Sequence, residues 1–315
     1  MPGVAVVTDS TSSLTPAVAE RAGVVVVPLQ VIVDGTSRPE SFRPGVGTST
    51  PGAVAAALRE GRTVSTSRPA PEAFSGAYAA AAERGASAIV SVHLSGAISS
   101  TIDAAELAAR TVPIPVTVVD SRTVASGCGF AALAAAAAAV TGASAEEVAE
   151  IARRRAAASV TYFCVESLEY LRRGGRIGAA QALLGSALAV KPLLSVVDGQ
   201  ITPQERVRTM SRALARLEEL AITALDADVR GSQGRGEPGR VGQERVGQEQ
   251  GVESSELVAD VAVLHLDNRS AADRLARSLK GRGPHVGSVS VSEVSAVLGV
   301  HCGPGTVGVV VSPRV

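Results

Sequence analysis

The sequence predicts an α/β protein whose first half forms a parallel sheet covered by helices. Short apolar runs that read as strands, such as Val4 to Val7 and Val116 to Val119, alternate with segments of helical pattern. Two of those segments open on a capping signal, at Thr15-Pro16 and Thr50-Pro51, where proline takes the first helical position. At 315 residues the chain is too long for one small core, which favours two domains.

Each element is then placed by its own pattern. In the first half, strands are expected at 4–7, 24–33, 63–64, 87–92 and 116–119, and helices from Pro16 and over 53–59, 71–84, 99–110 and 125–140. In the second half, helices are expected at 144–158, 166–173, 209–225 and 270–280, and strands at 160–165, 191–197, 260–267, 297–300 and 307–311. Ser144 and Glu147 form a capping box at the start of the first of these helices.

The domain division is expected near residue 150, giving an N-terminal α/β domain over 1–150 and a C-terminal α/β domain over 151–315. Within the second domain, the segment 228–253 is rich in Gly, Gln, Glu and Arg and has almost no apolar side chains. Such a composition cannot bury enough surface to fold, so this segment is expected to be a disordered insertion.

Composition excludes several classes of function. Lys plus Arg and Asp plus Glu both total 30, and aromatic residues make up 2%, so neither a basic surface nor stacking platforms for a nucleic acid are expected. The apolar run from Phe130 to Val140 is too short to span a bilayer, and no secretory leader is recognised, so we expect a cytoplasmic protein. Three scattered cysteines and four histidines lack metal-ligand spacing, so neither a metal nor a cofactor is expected.

Hydroxyl residues follow four of the predicted strands. They occur at Thr8 to Ser13, Ser65 to Ser67, Ser91 to Ser95, and Asp120-Ser121. The carboxyl ends of parallel strands face one crevice, and hydroxyls that cap the following helices leave backbone N–H groups directed into it. The pattern therefore predicts an anion-binding crevice.

Four residues are the candidates for contact with that anion, and each also has a structural interpretation. Thr66 and Ser95 are placed either to cap a helix or to donate to a carboxylate or phosphate. Arg176, between a glycine pair and an apolar residue, is either an anion clamp or a structural cation held by carbonyl groups. His301, before a Gly-Pro-Gly turn, is either a partner of the anion or a core histidine.

An enzymatic alternative uses the same crevice, as a phosphotransferase or a serine hydrolase. Ser95 lacks the Gly-x-Ser-x-Gly elbow of a hydrolase nucleophile. A Ser–His–Asp set assembled from distant residues such as Asp9 and His301 stays open from sequence alone.

A series of short motifs runs along the whole chain. They are Asp9-Ser10-Thr11-Ser12, Thr66-Ser67-Arg68-Pro69, Leu94-Ser95-Gly96, Val119-Asp120-Ser121, Ser126-Gly127-Cys128-Gly129, Leu168 to Ile177, Lys191-Pro192 and His301-Cys302-Gly303-Pro304-Gly305. In their order and number these motifs resemble those of the DegV family, bacterial proteins that bind long-chain fatty acids. The chain departs from the family at Arg68, where glutamine is usual, and at Ala70 and Ala97-Ile98.

The resemblance implies a two-domain DegV-like fold, with the N-terminal parallel sheet and a C-terminal mixed sheet, and a palmitate-like fatty acid in an apolar tunnel. Thr66 and Ser95 would hydrogen-bond the carboxylate, with Arg176 and His301 nearby. The chain would be a non-catalytic carrier whose partner, a separate fatty acid kinase subunit, phosphorylates the bound carboxylate. No catalytic residue, metal, nucleic acid or stable membrane insertion is implied.

Overall fold

The computed structural model describes residues 3–183, 190–233, 258–282 and 285–314. Its strands are β1 (Val4–Asp9), β2 (Val24–Val27), β3 (Gln30–Val33), β4 (Thr36–Pro39), β5 (Val64–Ser67), β6 (Ala88–His93), β7 (Val116–Asp120), β8 (Val160–Cys164), β9 (Lys191–Val197), β10 (Gln200–Val207), β11 (Ala259–His265), β12 (Val286–Glu293) and β13 (Val307–Pro313). Its α-helices are α1 (Pro16–Ala22), α2 (Pro51–Arg59), α3 (Pro71–Glu83), α4 (Thr101–Ala109), α5 (Ser126–Val140), α6 (Ala145–Ala158), α7 (Glu169–Arg173), α8 (Met210–Gln233), α9 (Arg269–Lys280) and α10 (Ala296–Cys302).

The N-terminal sheet has the strand order β2-β1-β6-β7, and all its pairings are parallel. Helices α5 and α6 cover one face, and α3 and α4 cover the other. Every residue of β6 is buried, as expected for a central strand with helices on both sides. The parallel sheet predicted for the first half is therefore confirmed.

The C-terminal sheet is mixed, with the order β10-β9-β8-β13-β11-β12. Only the β11–β12 pairing is parallel among its described strands. Val261 and Val263 of β11 face α8 and α9, whereas Ala262 and Leu264 face Val124 and Ala125 at the start of α5. The period of two in a strand thus gives this sheet two apolar faces, one toward its helices and one toward the N-terminal half. This agrees with the expected mixed sheet.

The predicted strand at 24–33 is wrong as a single element. The run divides into β2, which joins the parallel sheet, and β3, which joins a separate antiparallel sheet of order β4-β3-β5. Pro28 lies at the division, and proline cannot donate to a strand ladder. Thr66 belongs to β5 and therefore does not lie at the carboxyl edge of the parallel sheet. Of the four strands predicted to end at one crevice, only β1, β6 and β7 belong to that sheet.

The buried strand predicted at 297–300 is also wrong, because these residues form part of helix α10. Ser295 caps this helix and accepts a hydrogen bond from the Leu298 amide at 3.2 Å. Periodicity cannot distinguish a short buried helix from a strand in an apolar run of four residues.

Two other sequence predictions have mixed outcomes. The Ser144–Glu147 capping box is present at the start of α6. Helix α8 continues to Gln233, so residues 228–233 are helical rather than part of a disordered insertion. Residues 234–253 of the predicted insertion lie outside the described residues. The domain division at residue 150 stays a prediction, and that residue lies within α6, which packs on the N-terminal sheet.

Among the described helices, none is both long enough and apolar enough to cross a membrane.

A buried ion pair connects the two halves of the molecule. Arg155 of α6, whose side chain is 5% exposed, donates to Asp260 of β11 at 2.7 Å and lies over the Phe130 ring at 5.7 Å. Asp260 also accepts from Arg314 at 2.7 Å and from Ser288 at 2.8 Å. Removal of one partner would leave a charge in a site that is largely closed to water.

We predict that Arg155→Ala lowers the free energy of unfolding by about 1.5–3 kcal/mol, because it removes a buried hydrogen bond to the Asp260 carboxylate, which keeps Arg314 and Ser288 as partners. Urea denaturation measures the effect. Arg154→Ala, one residue earlier at an exposed position of the same helix, should stay within about 0.5 kcal/mol. Equal effects of the two substitutions would contradict a special role for the buried pair.

Candidate functional site

A cavity of about 310 Å³ lies between the C-terminal sheet and the N-terminal half of the molecule. Its walls are mainly aliphatic and include Leu94, Ile98, Val124, Val196, Leu264 and Val310. The polar residues that line it include Thr66, Ser67, Arg68, Ser99, Ser100, Arg176 and His301. An aliphatic chamber with a polar cluster suits a ligand that has a long apolar body and one polar end.

The cluster is organised by a hydrogen bond between Thr66 and His301. Thr66 Oγ1 lies 2.9 Å from His301 Nε2, which joins β5 to α10 across 235 residues of sequence. His301 is 9% exposed, and its Nδ1 has no hydrogen-bond partner among the residues that the structure describes. That nitrogen packs on Gly174, where an added Cβ would stand 2.1 Å from it. Gly174 is therefore needed so that the imidazole ring can approach the backbone after α7.

The His301 ring is neutral at physiological pH. Burial, and then the positive charge of Arg176, lower its pKa from 6.5 to about 4. A neutral imidazole carries one proton, on either Nδ1 or Nε2. A proton on Nδ1 would be a buried donor without a partner, which is the more rarely tolerated arrangement. The proton is therefore assigned to Nε2, which donates to Thr66 Oγ1 and leaves the Thr66 hydroxyl proton free to donate elsewhere.

Arg176 stands beside this pair in the turn after α7. Its Nε donates to the Ile98 carbonyl at 3.0 Å, and its Nη1 donates to the Gly174 carbonyl at 2.7 Å. Both partners are carbonyl groups, as expected if Arg176 is a structural cation. The residue is exposed, however, and not buried. Its Nη2 makes no hydrogen bond within the described chain, so the same side chain can also bind an anion.

Ser95 is oriented away from the other three candidates. It is fully buried, and its Oγ accepts the Ala97 amide at 3.2 Å. A Cβ added to Gly199 would stand 2.2 Å from Ser95 Oγ, so the hydroxyl faces the turn between β9 and β10. Its neighbour Leu94 lines the cavity, and Ser95 is not among the residues that do so in the described chain. The structure thus brings Thr66, Arg176 and His301 together, and the role of Ser95 in carboxylate binding stays a prediction.

Two of the other hydroxyl-tipped strand ends support the cavity wall through backbone contacts. Asp120 Oδ1 accepts the Gly96 amide at 3.2 Å and the Arg122 amide at 2.8 Å. Asp9 Oδ2 accepts the Leu94 amide at 3.1 Å. Both carboxylates therefore fix the turn that carries Leu94 and Ile98.

The structure contains a Ser–His–Asp set, but its histidine and serine are not the ones that the sequence analysis considered. Asp9 pairs with His93 rather than His301, with Oδ2 3.0 Å from Nδ1. His93 Nε2 lies 2.7 Å from Ser91 Oγ, which also accepts from the Tyr78 hydroxyl at 2.8 Å. Asp9, Ser91 and His93 are each 0% exposed, and none of them lines the cavity described above. Without access for a substrate, this set acts as a buried hydrogen-bond network.

Sequence reasoning missed several residues of the polar cluster and its surroundings. Ser99 and Ser100 line the cavity because they precede α4, which was expected to begin at Ser99. Leu298 lines it because α10 is a helix rather than a strand. A capping serine at 295 is the one local signal that favoured this helix. No group of three or more metal-ligating side chains occurs in the part of the chain that the structure describes.

Comparisons with known proteins agree on one family. Residues 3–314 match the family model described as "Uncharacterised protein, DegV family". A DegV domain-containing protein of Streptomyces coelicolor is 47% identical over 99% of both chains, and one of Deinococcus radiodurans is 36% identical over 98% of both.

Two solved structures extend the comparison to three dimensions. The structure described as "Fatty Acid Binding of a DegV family Protein from Thermus thermophilus" has 32% identity and a TM-score of 0.80, and covers 99% of both chains. A second, described as "DegV, a fatty acid binding protein from Bacillus subtilis", has 27% identity and a TM-score of 0.80, and covers 99% of this chain and 100% of that one.

We predict that the stability of the protein falls as the pH drops from about 6.5 to about 4, in part because of His301. The unfolded chain takes up a proton at this histidine near its ordinary pKa, whereas the folded chain resists until about 4. The His301→Gln variant lacks this part of the pH dependence. The difference in unfolding free energy between the parent protein and the variant should therefore shift against the parent as the pH falls from about 6.5 to about 4. Urea denaturation at a series of pH values measures this difference. Parallel curves would mean that His301 is not held neutral by its surroundings.

Proposed function

The chain belongs to the DegV family, and from that premise we propose that it binds a long-chain fatty acid such as palmitate in the cavity between its two halves. The carboxylate would lie against the Thr66–His301 pair, and the acyl chain would follow the aliphatic walls. The loaded protein would present the carboxylate to a separate kinase subunit. The proposal depends on one observation: the same cavity has mainly aliphatic walls and a single polar cluster.

The aliphatic walls would supply most of the affinity. Burial of each methylene contributes about 0.8 kcal/mol, so the acyl chain outweighs any single hydrogen bond to the headgroup. Aliphatic residues outnumber aromatic ones in the cavity wall, where Tyr162 and Phe163 are the only aromatic linings in the described chain. A flexible alkyl chain fits such walls better than a flat ring system, which would need stacking partners.

The polar cluster would orient the ligand. With the His301 proton on Nε2, the Thr66 hydroxyl has its own proton available for a carboxylate oxygen. The free Nη2 of Arg176 supplies positive charge for the same anion. Ser95 Oγ faces the turn between β9 and β10, and Ser95 does not line the cavity in the described chain, so its contribution is expected to be smaller than that of Thr66.

The relatives support the same ligand class. The Thermus thermophilus and Bacillus subtilis proteins, both described as binding fatty acids, cover nearly the whole of this chain with TM-scores of 0.80. We propose that the chain is a carrier without catalysis of its own, and that it works in the cytoplasm with a kinase that uses ATP. The burial of Ser91 and His93 supports this proposal only for the Ser–His–Asp set that contains them, because a substrate has no access to that set.

Native mass spectrometry tests the proposed function directly. We predict that the recombinant protein carries a co-purifying acyl chain, or takes up palmitate at a ratio of one to one after delipidation. Hexadecan-1-ol, which has the same chain length as palmitate, should compete more weakly than palmitate because it lacks the carboxylate. Recovery without an acyl chain together with no uptake of palmitate would contradict the proposal.

The headgroup assignment is tested by substitution. Thr66→Ala should weaken palmitate binding by about tenfold or more, since it removes a hydrogen bond to a charged group. Ser95→Ala should weaken it less, for the reason given above. Ser65→Ala, on the opposite face of the same strand, is the matched control and should leave affinity unchanged. If Thr66→Ala lowers the melting temperature by many degrees at unchanged affinity, its role is structural.

The carrier role is separated from catalysis by an assay for acyl phosphate. Palmitate-loaded protein with ATP and Mg²⁺ should form none, as measured by trapping with hydroxylamine. Addition of the ATP-binding subunit of a fatty acid kinase should start the reaction. Formation of acyl phosphate by the isolated chain would overturn the carrier proposal and support the phosphotransferase alternative.

A further inference from the structure

A second cavity, of about 330 Å³, lies on the other side of helix α10 from the first. Its walls are formed by helix α1, by the starts of α2 and α10, by strand β2 and by the segment that follows β4. The apolar lining consists of Leu14, Pro16, Ala19, Val24, Val26 and Pro28, with Phe42, Pro51 and Ala296. Among the described residues the two cavities share no lining residue. Helix α10 contributes Ala296 to the second cavity, and Val297, Leu298, His301 and Cys302 to the first.

A buried carboxyl group lies in the wall of this second cavity. Glu40 is 6% exposed, its Oε1 accepts the Ser10 hydroxyl proton, and its Oε2 accepts the Val297 amide at 2.9 Å. Burial raises the pKa of Glu40 to about 7. A carboxyl group in an apolar cavity is expensive to keep charged, and a cation placed beside it would offset that cost.

Glu40 accepts hydrogen bonds from several donors of the protein, namely the Ser10 hydroxyl, the Val297 amide and the Ser295 side chain. The Ser10 hydroxyl donates a hydrogen bond to Glu40 and accepts one from the Leu29 amide at 2.8 Å. Ser41, the other lining hydroxyl, accepts the Arg43 amide at 3.0 Å and keeps its proton. A carboxylate offers about four lone-pair positions, so Glu40 can accept from a ligand as well as from the protein.

The charges that line the cavity have one sign. Glu20 stands at its exposed rim, and Glu40 lies within. No cationic side chain is among the lining residues that the structure describes, although Arg43 pairs with Glu20 from outside at 3.2 Å. An anionic ligand such as a fatty acid is therefore disfavoured here, in contrast to the first cavity.

We propose that this second cavity is a binding site for a small amine that has one ammonium group and a compact aliphatic body. The ammonium would donate to the Glu40 carboxylate, and the aliphatic body would pack on Ala19, Val24 and Val26. The site is independent of the fatty acid cavity, so its existence does not rest on the proposed function.

The test uses n-hexylamine as the probe, with hexanoate and hexan-1-ol as matched controls of the same chain length. Binding is followed by methyl NMR at pH 8 on the full chain, both free of acyl chains and saturated with palmitate. Hexylamine should shift the methyl signals of Ala19, Val24 and Val26 equally in both preparations. Hexanoate and hexanol should bind at least about tenfold more weakly, since they cannot form the ion pair.

The proposal is overturned if hexanoate binds as tightly as hexylamine. It is also overturned if the shifted signals are those of Leu94, Val124 and Leu264 and palmitate abolishes the shifts, because hexylamine would then occupy the first cavity. An absence of binding at millimolar hexylamine has the same consequence.

Substitutions locate the carboxylate that is responsible. Glu40→Gln should weaken hexylamine binding by about tenfold, while Glu20→Gln, at the rim, should change it by less than about threefold. The reverse order would mean a surface ion pair and would overturn the proposal. Should Glu40→Gln fail to fold, Val26→Phe fills the cavity and leaves Glu40 in place. This variant should lose hexylamine binding and keep palmitate binding, and unchanged hexylamine affinity would overturn the proposal.

Discussion

The hydrogen bond between Thr66 and His301 is the contact on which the headgroup region depends, because it joins a small antiparallel sheet to helix α10. Burial beside Arg176 keeps the imidazole neutral, so its single proton lies on Nε2 and is donated to Thr66 Oγ1. The close packing of Nδ1 on Gly174 fixes the ring plane. The Thr66 hydroxyl is therefore free to donate into the cavity because Gly174 and helix α10 hold the buried His301 ring in this position.

The apolar part of the cavity follows from the way the two sheets are covered. Helices cover both faces of the N-terminal sheet, whereas α8 and α9 cover only one face of the C-terminal sheet. The other face, with Ala262, Leu264 and Val310, packs toward Val124 and Ala125 across the molecule. Small and aliphatic side chains on both sides leave space between them, and the Arg155–Asp260 pair ties the two halves together at the same time.

The sequence pattern predicted those parts of the fold that depend on interactions between residues close together in the chain. The parallel sheet follows from apolar runs that alternate with capped helices, and the Ser144–Glu147 box is a contact within one turn. The division of residues 24–33 between two sheets depends on which strands they pair with, and no local signal except Pro28 marks it. The rotamer of Ser95 and the approach of His301 to Gly174 are tertiary outcomes. The proximity of Thr66, Arg176 and His301 was expected only because the whole chain resembles one family.

The central claim, that a neutral Nε2-protonated His301 leaves the Thr66 hydroxyl free for a carboxylate, is tested most directly by ¹⁵N NMR of the histidine rings. Spectra of the delipidated protein at pH 7 should show His301 as the Nε2–H tautomer, with a hydrogen-bonded proton, and no titration down to about pH 5. An Nδ1–H tautomer, or an imidazolium at pH 7, would contradict the account.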